Sequence, residues 1–213
     1  MSKYEPLDFI EYMNELAKHK LDKLSCGNIS LRLSNNLIAI KPTGMSYNEV
    51  NIENVSIVNI SGKHLFGEKP SSDLDFHLQI YNNKPEINCI IHTHSHYASV
   101  MSCLKKPLKI LTTLQADYFG KDIWCMPYKN HRTGSISEKI IKSGNKVVLL
   151  ERHGTLILDE KPEKAIKNAV ILEEIAKLNY HIEMIESKVK KIKDKDIGAL
   201  NKYYQNEYGI KTD

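Results

Sequence analysis

Apolar residues at Leu7, Ile10, Met13, Leu16 and Ala17 recur at helical spacing and predict a first helix running to about Leu21. The period then shortens. Ile29, Leu31 and Leu33 alternate with polar residues as in a strand, and Leu37–Lys41 pairs back on it across Ser34-Asn35-Asn36. Val55–Ile60 reads as a third strand, turning at Ser61-Gly62-Lys63 into a short one around His64–Phe66. Leu74–Tyr81 returns to helical spacing, with Ser72 or Asp73 placed to cap it. Asn88–Thr93 is an apolar run typical of a buried strand, and Tyr97–Leu104 reads as a helix covering it. Ile123–Met126 predicts a short strand, Ser135–Lys142 a helix, and Val147–Leu150 with Thr155–Leu158 two further strands. Pro162 opens a long helix to about Ile185, and a last helix spans roughly Ile197–Tyr204. Strands and helices mix without strict βαβ alternation. That pattern predicts an α/β (α+β) chain, a single three-layer α/β/α domain over 1–213 around a largely antiparallel sheet, with a helical tail from about 190.

Composition narrows the class. The chain has 213 residues, 41% hydrophobic and 26% charged, enough apolar surface for one large core and too much for a disordered protein. A net charge of +4 is spread along the chain with no basic stripe interleaved with aromatics, which argues against nucleic acid. The dense basic run Lys188–Lys195 reads as a solvated helix end. No apolar run reaches membrane-spanning length, and the N-terminus lacks a signal pattern. Cys26, Cys89, Cys103 and Cys125 are scattered with no Cys-x-x-Cys pair, which disfavours disulfides and thiolate metal sites and points to a reducing cytoplasm.

Candidate chemistry sits where the central strand ends. In Cys89-Ile90-Ile91-His92-Thr93-His94-Ser95-His96, alternate positions share a strand face, so His92 and His94 point the same way if the strand persists one residue further. A third ligand is available in His153, between two strands and followed by Gly154, a residue that permits close backbone approach. Three neutral imidazoles with an open position describe a catalytic zinc-type site, and manganese, iron or cobalt would accept the same donors. Two small-residue turns, Gly27-Asn28 and Lys41-Pro42-Thr43-Gly44, suit an anion cradle using Asn28, Lys41, Thr43 and backbone N–H groups. Ser71 and Ser72 at a helix start could bind a phosphate, with Asp73 projecting toward the metal site. His64 and His131 have no partners in sequence. His96 reads as lining the site or capping the next helix, and Tyr128 as core packing.

The ordered set Gly27-Asn28, Lys41-Pro42-Thr43-Gly44, Pro70-Ser71-Ser72-Asp73, His92-x-His94 and His153-Gly154 resembles the class II aldolase/adducin family. The resemblance implies a divalent ion, usually zinc, on His92, His94 and His153. It implies a substrate phosphate held by Asn28, Thr43, Gly44, Ser71 and Ser72, and a homotetramer with active sites at subunit interfaces. It also implies retro-aldol chemistry on a small phosphorylated ketose through an enediolate, with the ion as Lewis acid.

Within the family the motifs lean to the ribulose-phosphate 4-epimerase branch, which resembles Pro70–Asp73, Ala116–Gly120 and Asn168–Glu174 and implies Asp117 as a catalytic acid/base. That branch also uses a C-terminal Tyr, and no tyrosine aligns with it here; Tyr203, Tyr204 and Tyr208 lie nearby. The alternative is the fuculose-phosphate aldolase branch, which carries Glu in place of Asp73 and Tyr in place of Thr113. Further alternatives are a phosphosugar-acid decarboxylase and a non-catalytic adducin-like module.

Overall fold

Alternate residues of the central strands feed two separate apolar clusters, one on each side of a single sheet. The computed structural model describes residues 4–128, 135–185 and 189–208. Its strands are β1 (Asn28–Arg32), β2 (Leu37–Ile40), β3 (Ser56–Asn59), β4 (His64–Phe66), β5 (Cys89–Thr93), β6 (Trp124–Met126), β7 (Val147–Leu150) and β8 (Gly154–Asp159). They form one sheet in the order β4-β3-β2-β1-β5-β8-β7-β6. Every neighbouring pair is antiparallel except β6 with β7. The largely antiparallel expectation therefore holds.

The helices are α1 (Pro6–Lys18), α2 (Leu74–Asn83), α3 (His96–Cys103), α4 (Thr113–Phe119), α5 (Ser135–Ser143), α6 (Pro162–Met184) and α7 (Asp194–Asn206). On one face, Ile29, Leu31, Cys89, Ile91 and Ile157 pack with Phe9 and Met13 of α1, Met101 of α3 and Leu172 of α6. On the other, Ile38, Val58, Ile90, Leu156 and Leu158 pack with Leu78 and Ile80 of α2 and Ile140 of α5. This is the three-layer arrangement. Each such buried aliphatic side chain contributes about 1.5–3 kcal/mol by leaving water. Among the described residues no helix is long and apolar enough to cross a membrane.

Two elements differ from the sequence pattern. α1 stops at Lys18 rather than near Leu21, because Lys20 takes a left-handed φ of 52° that no helix continues through. The segment before Gly120, unassigned by apolar spacing, is α4. Thr112 and Gln115 form a reciprocal capping box, and Gly120 closes the helix at φ 63°. Seven residues are too few to show a helical period.

Candidate metal centre and its surroundings

β5 lies between β1 and β8, with Asn28 opposite His92 on one side and Leu156 opposite it on the other. His92 therefore shares the face of Ile90 and of Asn28. Its Nδ1 lies 2.7 Å from the Thr155 carbonyl. A carbonyl only accepts, so Nδ1 carries the proton and Nε2 keeps its lone pair for a ligand role. The regular strand ends at Thr93, one residue before His94, yet the two rings still converge at a centroid separation of 4.6 Å.

His153 arrives from the turn between β7 and β8. Arg152 turns the chain with a left-handed φ of 58°, and the His153 N–H returns to the Leu150 carbonyl at 3.0 Å. Glu151 anchors this turn, accepting from the Tyr128 N–H at 2.8 Å and pairing with Lys105 at 3.1 Å. Those donors hold its carboxyl below the usual range. The His153 ring lies 4.7 Å from His92 and 5.0 Å from His94. One nitrogen from each ring lies within 4.8 Å of the others. Gly154 makes this closeness possible, since a Cβ there would stand 2.3 Å from the Thr93 carbonyl oxygen and 3.1 Å from the His94 ring.

Burial first, then the neighbouring rings of His94 and His153, push His92 down to about 3. The imidazole is thus neutral near pH 7, the form a metal needs. Asp73 opposes this shift, so its charge reaches His92. The neutral His92 nitrogen, its tautomer fixed by a backbone acceptor, together with the neighbouring His94 and His153 nitrogens, fits a borderline divalent ion.

The anion-cradle residues also gather here. An isolated bridge pairs Pro42 with Pro70, and the Thr43 N–H donates to the Lys69 carbonyl at 3.0 Å. The Lys41–Gly44 turn therefore lies beside Pro70–Asp73. Asn28 is buried, and its amide donates to Asp73 Oδ2 at 2.8 Å. Ser71 is buried, with Oγ accepting from the Asp73 N–H at 3.2 Å, while Ser72, Thr43 and Gly44 are exposed. Gly44 has φ 75° and open space around it. Asp73 occupies the N-cap position of α2 but its side chain does not cap; the carboxylate is committed to Asn28 instead.

Lys41 differs from expectation. It is 2% exposed, its ammonium donates to the Ser25 carbonyl at 3.0 Å, and it lies 5.2 Å over the Tyr47 ring. The ammonium is spent inside the molecule, bracing the loop before Asn28, and is not presented to an anion.

Asp117 stands in α4, which packs on α7 and α6. Its backbone carbonyl accepts from Asn201 and Gln205 of α7, and partial burial raises its carboxyl. Tyr128 is 57% exposed rather than a core residue, and His96 is exposed at the start of α3. His64 is exposed, with Nε2 at the Phe66 carbonyl. His131 lies outside the described residues.

Sequence reasoning missed three supports. Asp22 accepts from the His94 N–H at 2.6 Å, and burial, the largest influence, raises its carboxyl to about 6. Thr155 supplies the carbonyl that orients His92. Glu173 of α6 accepts from the Tyr97 and Ala98 N–H groups at 2.8 and 2.9 Å, capping the helix that follows the histidines. None carries a local signal, because each acts on a segment distant in sequence.

Comparison with known proteins agrees with this geometry. The family model described as class II aldolase and adducin N-terminal domain matches residues 8–180. The chain is 38% identical over 173 residues to the L-fuculose phosphate aldolase of Methanococcus vannielii, covering 81% of this chain and 94% of that one. It is 27% identical over 201 residues to the Escherichia coli K12 protein of the same name, covering 93% of each. A solved structure of an L-fuculose 1-phosphate aldolase superposes with a TM-score of 0.82 at 27% identity, covering 93% of this chain and 95% of that one. With the motifs, the sheet topology and the histidine cluster in agreement, the chain belongs to the class II aldolase and adducin N-terminal domain family.

Proposed function

We propose that this protein is a lyase that cleaves a phosphorylated deoxyketose of the L-fuculose 1-phosphate type into dihydroxyacetone phosphate and an aldehyde. The observation that carries the reading is the Asn28–Asp73 pair, set across from His92 and beside the Pro42–Pro70 bridge. A carboxylate, a cluster of imidazoles and two small-residue turns share one neighbourhood. The names of the relatives support the aldolase branch more than the 4-epimerase branch toward which the motifs alone lean.

His92, His94 and His153 would hold a divalent ion, zinc first among those such donors accept, and it would supply a Lewis acid for the ketose carbonyl. Exposed Thr43, Gly44 and Ser72, with Ser71 behind them, would receive the phosphate. As the carbon–carbon bond breaks, the hydroxyl on the departing side gives its proton to solvent water and becomes the aldehyde. The carbon left on the ketone fragment must then gain a proton. Asp73 carries that proton, and in the condensation direction its carboxylate takes the proton away. The Asn28 amide holds the carboxylate in place between these events. A homotetramer with sites at subunit boundaries belongs to the same reading.

The test is a coupled assay of purified, zinc-loaded protein on L-fuculose 1-phosphate, following dihydroxyacetone phosphate and aldehyde with and without chelator. Chelator-sensitive release of both is expected. Epimer formation from L-ribulose 5-phosphate without free aldehyde would overturn the reading in favour of a 4-epimerase, with Asp117 as proton carrier.

A further inference from the structure

The loop between α1 and β1 holds a buried carboxylate that the proposed chemistry does not use. Asp22 has a side chain only 2% exposed. Its Oδ1 accepts the His94 N–H at 2.6 Å and lies 3.8 Å from His94 Nδ1. The same group seats the turn before Asn28. Gly27 has φ 66°, and a Cβ on it would stand 2.4 Å from Asp22 Oδ2, so the glycine backbone rests directly on the carboxylate. Lys41 braces the same loop through the Ser25 carbonyl.

His94 needs such a partner. Strand β5 ends at Thr93, so His94 lies beyond the ladder that fixes His92. A backbone N–H left without an acceptor inside the molecule is costly, and the residue carrying it would drift. Asp22 supplies that acceptor, and through Gly27 it also sets Asn28.

We infer that Asp22 is a positioning residue: it fixes the metal ligand His94 through its main-chain N–H and joins the metal centre to the Gly27-Asn28 turn. Its part is to hold an acceptor at one place, so an amide of the same shape replaces it and an alkyl group does not. This inference rests on reading the three histidines as a metal site, and its experiment separates the two failures.

Apo-protein is titrated with Co2+ in competition with a chromophoric chelator, and the visible d–d band is recorded for wild type, Asp22→Asn and Asp22→Ala, with circular dichroism of each apo form. Wild type binds one Co2+ per chain with an intense four-coordinate band. Asp22→Asn stays within about twofold of it. Asp22→Ala retains a native apo spectrum but binds Co2+ about 10–100-fold more weakly with a shifted band, the size expected for loss of a group that orients a ligand. If Asp22→Ala does not fold, Asp22→Ser takes its place, since its hydroxyl is too short to reach the His94 N–H. Wild-type affinity and band in the folded Ala or Ser variant would overturn the inference. So would an Asn variant as weak as Ala. A wild type that binds no Co2+ defeats the metal reading itself.

Discussion

Gly154 stands so close to Thr93 that a Cβ would lie 2.3 Å from the Thr93 carbonyl oxygen. The contact draws the start of β8 against the end of β5, and with it His153 toward His92 and His94. Gly154→Ala is therefore expected to cost both stability and metal. The clash is with backbone, which cannot rotate away, so a loss of about 2–4 kcal/mol in unfolding free energy is expected, within the range of severe point mutations. Chemical denaturation and a metal assay on the same sample check it; a fully loaded, undiminished Gly154→Ala protein would refute the role.

The proposed mechanism gives Asp73 a proton to move and leaves the ion to the three histidines. Asp73→Asn is expected to lower kcat by about 100-fold or more while leaving bound metal near one equivalent. Asn28→Ala should give a smaller fall in kcat, because the carboxylate loses its 2.8 Å donor but remains present. Steady-state kinetics beside elemental analysis distinguishes these outcomes from loss of the ion.

Asp117 separates the two branches of the family. In the aldolase reading Asp117→Asn keeps most of its turnover, within about tenfold, since an essential proton carrier would cost more. Product analysis of this variant on both L-fuculose 1-phosphate and L-ribulose 5-phosphate gives the answer.

A buried histidine outside the metal cluster should shape the acid limb of stability. His77 has Nδ1 2.7 Å from the Ser30 hydroxyl, which also meets the Tyr81 hydroxyl at 2.8 Å. Burial pushes its pKa down to about 4 from an ordinary 6.5. Between those values the unfolded chain binds the proton and the folded one does not. His77 thus removes stability as pH falls from about 6.5 to about 4, by at most about 1.4 kcal/mol per pH unit. Asp22, raised to about 6, acts with the opposite sign below that pH, so wild type alone would blur the effect. The difference between wild type and His77→Gln isolates it: the unfolding free energy of wild type minus that of the variant should fall as pH drops from about 6.5 to about 4.

The layers and the histidine cluster were legible in the sequence because each has a local signature. Alternation in Ile29-Leu31-Leu33 and in the run ending at His92 states which side chains share a face, and the structure places Ile91 and Ile90 in opposite cores accordingly. Lys41 was not legible. A lysine before Pro-Thr-Gly looks the same whether its ammonium meets solvent or a buried carbonyl, and only the path of residues 22–26 decides. Asp22 reads in sequence as a residue just past a helix. Its role exists only once β5 ends beside it, 72 positions away. The lean toward epimerisation rests on motif likeness around Asp117, in a helix whose capping Gln115 and closing Gly120 serve its backbone.

The sequence distances in this site also bear on how the chain is assembled in time. His92 is oriented by a carbonyl 63 residues later, and Asn28 by a carboxylate 45 residues later. Each pairing closes a long loop before any local contact rewards it, which is a slow step in folding. A nascent chain could not form the complete ion-binding cluster until β8 had emerged and paired with β5. An ion held by all three histidines would therefore enter late, as a lock on a sheet whose centre is already paired.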